Sequence, residues 1–511
     1  MAADFYITLN FDLEQKRQEC AVQTLQLVAD ITPQSFFAQI LNAKIQLSLH
    51  RGAENRGIFM AIITKAPRGT QDVLPEQSGK WQYLEKVALE TANLYGFKEI
   101  RFPTFEHTEL FARGVGDGTD VVQKEMYTFK DKGDRSITLR PEGTAGAMRT
   151  LIEHGVLAGA LPVKVSYLTS CFRYEKPQAG RLREFHQFGA ELLGAASPAA
   201  DAEMISMVSG IFDQLGIEGL TLEINSIGCQ SCRSDYNEAL KAYFHSRESE
   251  LCDTCRDRLE RNPMRILDCK CPDCKKVAEG APHIIDYLCD DCRAHFEELQ
   301  QRLDGLGIEY KINPTIVRGL DYYTRTVFEF VSDCIGAQGT VCGGGRYDGL
   351  VELLGGAPTP GIGFAMGLER LLLLMEKTGV PFPEDRKVDI YIGSMGKKAS
   401  MEAATIVNAL RAEGFCAECD LMERSVKAQM KYADKIGATF SCIIGDSELE
   451  VGKVTVKNMK EGTSEKIALD EIIEYVYEND FGDLYDAISS TDPQPDECTH
   501  DCASCHRDCK F

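Results

Sequence analysis

The sequence predicts an α+β core built on an antiparallel sheet, interrupted by a Cys-rich insertion and followed by a smaller α/β domain. Three observations carry this prediction. Strand-like runs at 163–175 and 183–194 flank a Gly/Pro loop, "KPQAGRL", and read as an antiparallel pair. Nine of the 20 cysteines lie between Cys229 and Cys292, with strand, turn and helix patterns on both sides. A fresh alternation of strand and helix starts near Val388. At 511 residues the chain is too long for one ordinary core, which agrees with several domains.

Residues 1–59 carry no readable motif and are expected to be an extension, with a new start plausible at Met60. From Lys80, Leu84, Val87, Ala88, Thr91, Leu94 and Tyr95 recur at helical steps, and Gly96 fits the stop. "FKEIRFPTFE" (97–106) reads as extended and broken by Pro103, and "SITLRPEGT" (136–144) as a strand entering a loop. Met204 to Leu215 forms an amphipathic helix, and "LTLEINS" (220–226) a strand. The insertion occupies about 228–305. Beyond it, 318–332, 339–350 and 360–376 resume the pattern, which sets the core at 60–385. In the domain at 386–480, "VDIYIG" and "FSCIIG" are strands, and 398–413 and 469–479 helices. Residues 481–511 form a polar linker and a Cys-rich tail.

Composition excludes several classes. Apolar residues are 44% and charged residues 26%, so the chain is neither disordered nor fibrous. The formal charge of −22 argues against long-range attraction to nucleic acid, so any such site is a local basic patch. No apolar run approaches the ~20 residues of a membrane span, and no signal peptide is evident at the amino terminus. A cytoplasmic protein that contacts neither membrane nor DNA is expected, and its cysteines are poor disulfide candidates there.

Arg173 ends a strand, and Arg370 sits where an apolar strand turns into a helix. Arginine suits polyphosphate because its planar fork grips phosphate oxygens in pairs. Gly343, Gly344 and Gly345, like Gly361 and Gly363, miss the dinucleotide fingerprint, because Asp348 and Met366 occupy its last position. The triplet either lets backbone approach a ligand or makes a bulge or tight turn.

"TLRPEGT", "FRYEKPQAGRLREFHQFGAE", "RGLDYYTRTVFEF", "CGGGRYDGL" and "GFAMGLERLLLL" occur in that order. Together they resemble the histidyl-tRNA synthetase family of class II aminoacyl-tRNA synthetases, over about residues 60–480. The resemblance implies the class II synthetase fold, with an anticodon-binding domain at 386–480. It implies ligation of L-histidine to tRNA(His) through a histidyl-adenylate, with ATP and Mg²⁺, in a homodimer. It also implies roles for individual residues. Arg173 and Arg318 would bind the α-phosphate, Arg370 the γ-phosphate, Phe185 would stack on adenine and Glu175 would meet its edge. Glu142, Gly143 and Thr144, with Gln187, would hold the α-amino group. Glu191 and Tyr323 would bond the imidazole, and Tyr322 would line the pocket. Lys176, Gln178 and Arg181 would approach the acceptor stem. Lys176 and Glu184 depart from the family's usual Arg and Gln, which bears on those tRNA contacts and not on the ATP or histidine sites. Arg424, Lys427 and Lys431 lie at helical spacing and form either a tRNA-binding or a solvated face.

The cysteines admit their own reading. Cys229 and Cys232 with Cys252 and Cys255 give two C-x-x-C pairs nineteen residues apart, a spacing that suits a structural zinc site. Cys271 and Cys274 with Cys289 and Cys292 make a second set, and Cys269 is left over. Cys498, Cys502, Cys505 and Cys509 make a third, with His500 and His506 nearby. The resemblance does not call for zinc, and reduced or redox-active thiols are the alternative. The competing function is a catalytically inactive, histidine-sensing regulatory paralogue, which would lack the last domain and lose motif residues.

Overall fold

The computed structural model describes residues 64–480, apart from 117, 118, 120, 319 and 384–386. The extension at 1–59 and the cysteine tail therefore lie outside the described residues.

The core is an eight-stranded sheet. Its strands in chain order are β1 (Lys98–Glu99), β2 (Val163–Phe172), β3 (Glu184–Leu193), β4 (Thr221–Ser226), β5 (Lys311–Ile312), β6 (Thr324–Val331), β7 (Thr340–Arg346) and β8 (Gly361–Gly367). Across the sheet the order is β1-β2-β3-β8-β7-β6-β4-β5. All neighbours from β2 to β4 are antiparallel, and β1 and β5 add parallel edges. The predicted pair at 163–175 and 183–194 forms with full register, Val163 opposite Leu193 and Phe172 opposite Glu184. The Gly-rich triplet lies inside β7, with a register shift between Gly345 and Arg346.

Helices α1 (Pro75–Leu94), α2 (Thr144–Glu153), α3 (Pro198–Gln214), α4 (Gln230–His245), α5 (Asp253–Arg261), α6 (Pro272–Ala278), α7 (Asp290–Gly305) and α8 (Leu368–Thr378) divide between the two faces of this sheet and the insertion. Leu84, Ile205, Phe212, Leu299 and Leu371, from α1, α3, α7 and α8, pack with Phe328 and Phe364 into one core. Met148 and Leu151 of α2 meet Tyr236, Leu240 and Phe244 of α4 in the other. Helix α1 starts at Pro75, earlier than the apolar period suggested, because proline is tolerated at the first helical position. "RPEGT" does not stay a loop: Thr144 opens α2, and the Glu142 carboxylate accepts the N–H groups of Thr144 (2.7 Å) and Ala145 (2.8 Å).

The last domain has strands β9 (Ile390–Ser394), β10 (Ala417–Cys419), β11 (Phe440–Ile444), β12 (Lys453–Asn458) and β13 (Ser464–Ala468), ordered β10-β9-β11-β12-β13. Helices α9 (Lys397–Ala412), α10 (Val426–Lys435) and α11 (Ile472–Asp480) belong to it, as does a short helix at Asp446–Val451. Sequence periodicity missed β10, β12 and β13. β12 alternates cleanly, but β13 buries little more than Ile467. The proposed basic helix face shrinks to Lys427 and Lys431, both exposed. Arg424 precedes α10, pairs with Asp420 at 3.1 Å and lies 4.2 Å from the Tyr432 ring. Among the described residues, no helix is long and apolar enough to cross a membrane.

Candidate active site

A cavity of about 290 Å³ opens over β3, β6, β7 and β8. Arg173, Arg318 and Arg370 all line it, although they come from a strand end, a loop and a helix start. So do Glu142, Thr144, Gln187, Tyr322, Tyr323, Glu175, Phe185 and Arg181. Gly143 and Glu191 lie behind the wall. Lys176 and Gln178 are exposed outside it. Arg181, expected at the tRNA, instead turns inward and pairs with the buried Glu175.

Arg173 and Arg370 are aimed by fixed backbone carbonyls. Arg173 donates from Nε to the Pro141 carbonyl at 2.8 Å, which ties the end of β2 to the "RPEGT" segment. Its guanidinium sits 5.3 Å from the Phe185 ring centre. Arg370 donates to the carbonyls of Thr340 (2.6 Å) and Gly180 (3.3 Å). Burial, helped by the charges of Arg181 and Arg173, pushes Arg370 down to about 10. A cation held among cations out of water gains from an arriving polyanion, since each charge is then compensated.

Arg318 is held differently. It forms an ion pair with Glu329 of β6 and lies 5.5 Å from the Tyr323 ring centre, and its buried Nε has no hydrogen-bond partner among the described residues. Burial disfavours its charge, but the Glu329 carboxylate outweighs that and raises its pKa. Glu329 also accepts from Thr340 Oγ1 at 2.8 Å. The Gly-rich triplet explains how the guanidinium fits: a Cβ on Gly343 would lie 2.5 Å from an Arg318 nitrogen. Gly363 plays the same part beside Glu191, whose carboxylate would collide with a Cβ there. The glycines thus make room for the site's own side chains, a role that neither sequence reading of the triplet contained.

One end of the cavity is lined by tyrosines. Tyr322 and Tyr323 lie 4.7 Å apart, and Tyr347 meets Tyr322 edge-on at 5.6 Å. Glu191 is fully buried and accepts from Tyr167 (2.9 Å) and from Tyr347. Tyr167 and Tyr347 escaped the sequence reading, although Tyr347 lies within the quoted "GGGRYDGL". Gln187 accepts a weak bond from the Cys171 thiol at 3.3 Å. Glu369, also unforeseen, lines the cavity and binds His186 through its backbone N–H (2.9 Å) and Nδ1 (3.0 Å). That hydrogen bond raises the His186 pKa.

Burial pushes the Glu191 carboxyl up to about 8, although hydrogen bonds from Tyr347, Thr144 and Tyr167 oppose the shift. A carboxyl with a raised folded pKa contributes stability that is full below its ordinary value near ~4.3 and is lost as pH rises through about 8. Thermal unfolding between about pH 5 and pH 9 should therefore show a falling midpoint, and Glu191→Gln should flatten that slope. An equal slope in both proteins would remove Glu191 as its source.

The insertion corrects the predicted metal sets. Cys229 and Cys232 do not meet Cys252 and Cys255; they gather with Cys289 and Cys292. Cys252 and Cys255 gather with Cys269, the residue left over in the sequence reading, and with Cys274. Cys271 joins neither group. The physical reason is α4, whose 16 residues span about 24 Å and carry the chain away from Cys229 and Cys232 before Cys252 is reached.

The histidyl-tRNA synthetase family model matches residues 69–371, and an anticodon-binding domain model matches 389–479. The histidine–tRNA ligase of Acetivibrio thermocellus is 59% identical over 412 residues, 81% of this chain and 99% of that protein. That of Clostridioides difficile is 51% identical over 414 residues, 81% of this chain and 99% of its own length. The crystal structure of the apo histidyl-tRNA synthetase from S. aureus superposes with a TM-score of 0.70 at 45% identity, covering 81% of this chain and all of that one. From residue 69 to 479, and at identities far above those that fold alone would explain, the chain belongs to the histidyl-tRNA synthetase family.

Proposed function

We propose that the cavity binds ATP and L-histidine, joins them as histidyl-adenylate with release of pyrophosphate, and transfers histidine to the 3′-terminal ribose of tRNA(His), releasing AMP. The observation that carries this reading is the convergence of Arg173, Arg318 and Arg370 on a cavity whose other end is lined by Glu142, Tyr322 and Tyr323.

A carboxylate oxygen of histidine forms the new bond to the α-phosphorus, and the bond to the pyrophosphate oxygen breaks on the opposite side. The protein contributes alignment and charge rather than covalent help. Arg173 and Arg318 flank the α-phosphate, where negative charge builds between two anionic reactants. Arg370 holds the γ-phosphate and so sets the direction in which pyrophosphate leaves. Phe185 supports adenine on its ring face, and Glu175 stands near the base edge. Glu142 keeps acceptor capacity beyond its two backbone bonds, because a carboxylate offers about four lone-pair sites, and this capacity takes the α-amino group with Thr144 and Gln187.

The imidazole enters among Tyr322, Tyr323 and Tyr347, with Glu191 behind them. A polar pocket leaves buried groups unpaired when an apolar side chain enters, which gives ~10⁴–10⁵ discrimination. Mg²⁺ arrives with the nucleotide as part of the substrate. Glu329 and Glu369 are oxygen donors at the cavity wall and suit a hard cation. The reading includes a cytoplasmic homodimer, with Lys427 and Lys431 presented to the tRNA by the last domain.

Histidine-dependent exchange between pyrophosphate and ATP tests the proposal. Robust exchange that vanishes without histidine is expected. The regulatory reading predicts histidine binding without exchange, and that result would overturn the ligase assignment.

A further inference from the structure

The two thiol groups of the insertion are built alike. Cys229, Cys252 and Cys289 each stand immediately before a helix, α4, α5 and α7, and each starts a C-x-x-C turn whose second cysteine is buried. Within each group all four sulfurs lie within 4.8 Å of one another. The Sγ atoms of Cys229 and Cys232 are 3.5 Å apart, those of Cys229 and Cys289 4.0 Å, and those of Cys252 and Cys269 3.9 Å. A tetrahedral zinc with Zn–S bonds of ~2.3 Å sets its sulfurs ~3.8 Å apart. A disulfide would need ~2.05 Å, and a cluster of several irons would hold its cysteine sulfurs much farther apart. Backbone N–H groups already point at the sulfurs: Cys289 N–H to Cys232 (3.2 Å), Cys252 N–H to Cys274 (3.2 Å) and Cys271 N–H to Cys269 (3.5 Å). Such donors stabilise thiolates bound to a metal.

We propose that the insertion holds two structural zinc ions in nested tetrathiolate sites, one at its neck (Cys229, Cys232, Cys289, Cys292) and one inside it (Cys252, Cys255, Cys269, Cys274). The inner set lies wholly within the stretch of chain that the outer set closes. Both sites are closed, with four protein ligands and no open position, which suits structure rather than catalysis.

What they hold in place is the back of the amino-acid pocket. Arg233, the residue after Cys232, donates to the Tyr323 carbonyl at 3.2 Å. Arg265, between Cys255 and Cys269, donates to the Arg318 carbonyl at 3.1 Å, and Asn262 to Asp321 at 3.1 Å. The zinc ions thus anchor the props beneath the Arg318–Tyr323 segment. This consequence rests on the proposed histidine site, whereas the metal content does not.

The test is metal analysis of the full-length protein purified without chelators, in a form carrying serine at Cys498, Cys502, Cys505 and Cys509. Two zinc ions per chain are expected, with X-ray absorption reporting four sulfurs at ~2.3 Å. Cys271→Ser should cost no zinc. Cys229→Ser with Cys289→Ser should cost one, and Cys229→Ser with Cys255→Ser both. Pairing of consecutive C-x-x-C turns predicts the opposite for all three variants, so that pattern would overturn the nesting. Absorption and the single Cys271→Ser protein decide the matter should the double variants fail to fold. Less than one zinc per chain, with alkylatable or disulfide-bonded thiols in these groups, would overturn the proposal whatever the exchange activity.

Discussion

Replacing Arg318 by alanine is expected to cut the rate of histidyl-adenylate formation at least ~100-fold, the lower range for losing one preorganised charge donor. The expectation follows from how the residue is held. Its Glu329 partner keeps it charged despite burial, the Tyr323 ring flanks it, and its buried Nε has no hydrogen-bond partner among the described residues. Such a group has little freedom to lose when the transition state forms. The effect should fall on kcat of pyrophosphate exchange more than on the KM for histidine, because the missing charge acts on the reacting phosphate. Arg318→Lys should recover only part of the rate, since a point charge cannot reproduce the planar fork. A near-wild-type exchange rate for Arg318→Ala would reject the assignment.

Asp201→Asn is expected to destabilise the folded core by about 3 kcal/mol, the low end for breaking a buried ion pair, because Arg346 keeps its 2.9 Å pair with Asp348. Asp201 and Arg346 both have fully buried side chains. Oδ1 of Asp201 accepts from Arg346 Nε at 3.0 Å and from a second guanidinium nitrogen at 2.5 Å. Oδ2 accepts from Thr326 at 2.6 Å and binds His295 at 2.7 Å. Burial opposes ionisation of Asp201, but the His295 hydrogen bond and the Arg346 charge outweigh it and lower its pKa. A depressed carboxyl contributes stability above its ordinary value of ~3.9 and loses it as pH falls through the lower folded value. Urea unfolding at neutral pH measures the effect. Removing both charges, as Asp201→Leu with Arg346→Met, should cost less than Asp201→Asn alone, because the fully buried guanidinium is then gone as well. An unchanged urea midpoint for Asp201→Asn would show that the network carries no stability. The network matters for the site because Arg346 ends β7, the strand whose glycines lie against Arg318 and Tyr323.

Much of the fold was legible because its signals are local. The antiparallel pair of β2 and β3, the amphipathic α3 and the strand-to-helix turn at Gly367 each depend on residues within one window. The edge strands β10 and β13 were not legible, because short, half-exposed strands owe their pairing to neighbours rather than to their own period. In the site, the arginines and Glu142, Tyr322 and Tyr323 were legible as motifs. Their supports were not: Glu329, Tyr167, Tyr347 and Asp201 are ordinary strand, loop and helix residues until the fold sets them opposite their partners.

By itself the sequence determined which reactive groups the chain carries: the guanidinium groups, the tyrosines and carboxylates of the motifs, and nine thiols in an insertion, all recorded in residue type and order. The tertiary structure alone decided who meets whom. Glu191 meets Tyr167 and Tyr347, Arg181 turns to Glu175, and Cys229 joins Cys289 across a 60-residue separation instead of Cys252. The reason is geometric: side-chain type is a local property, but contact depends on how rigid helices and paired strands carry the chain away and bring it back.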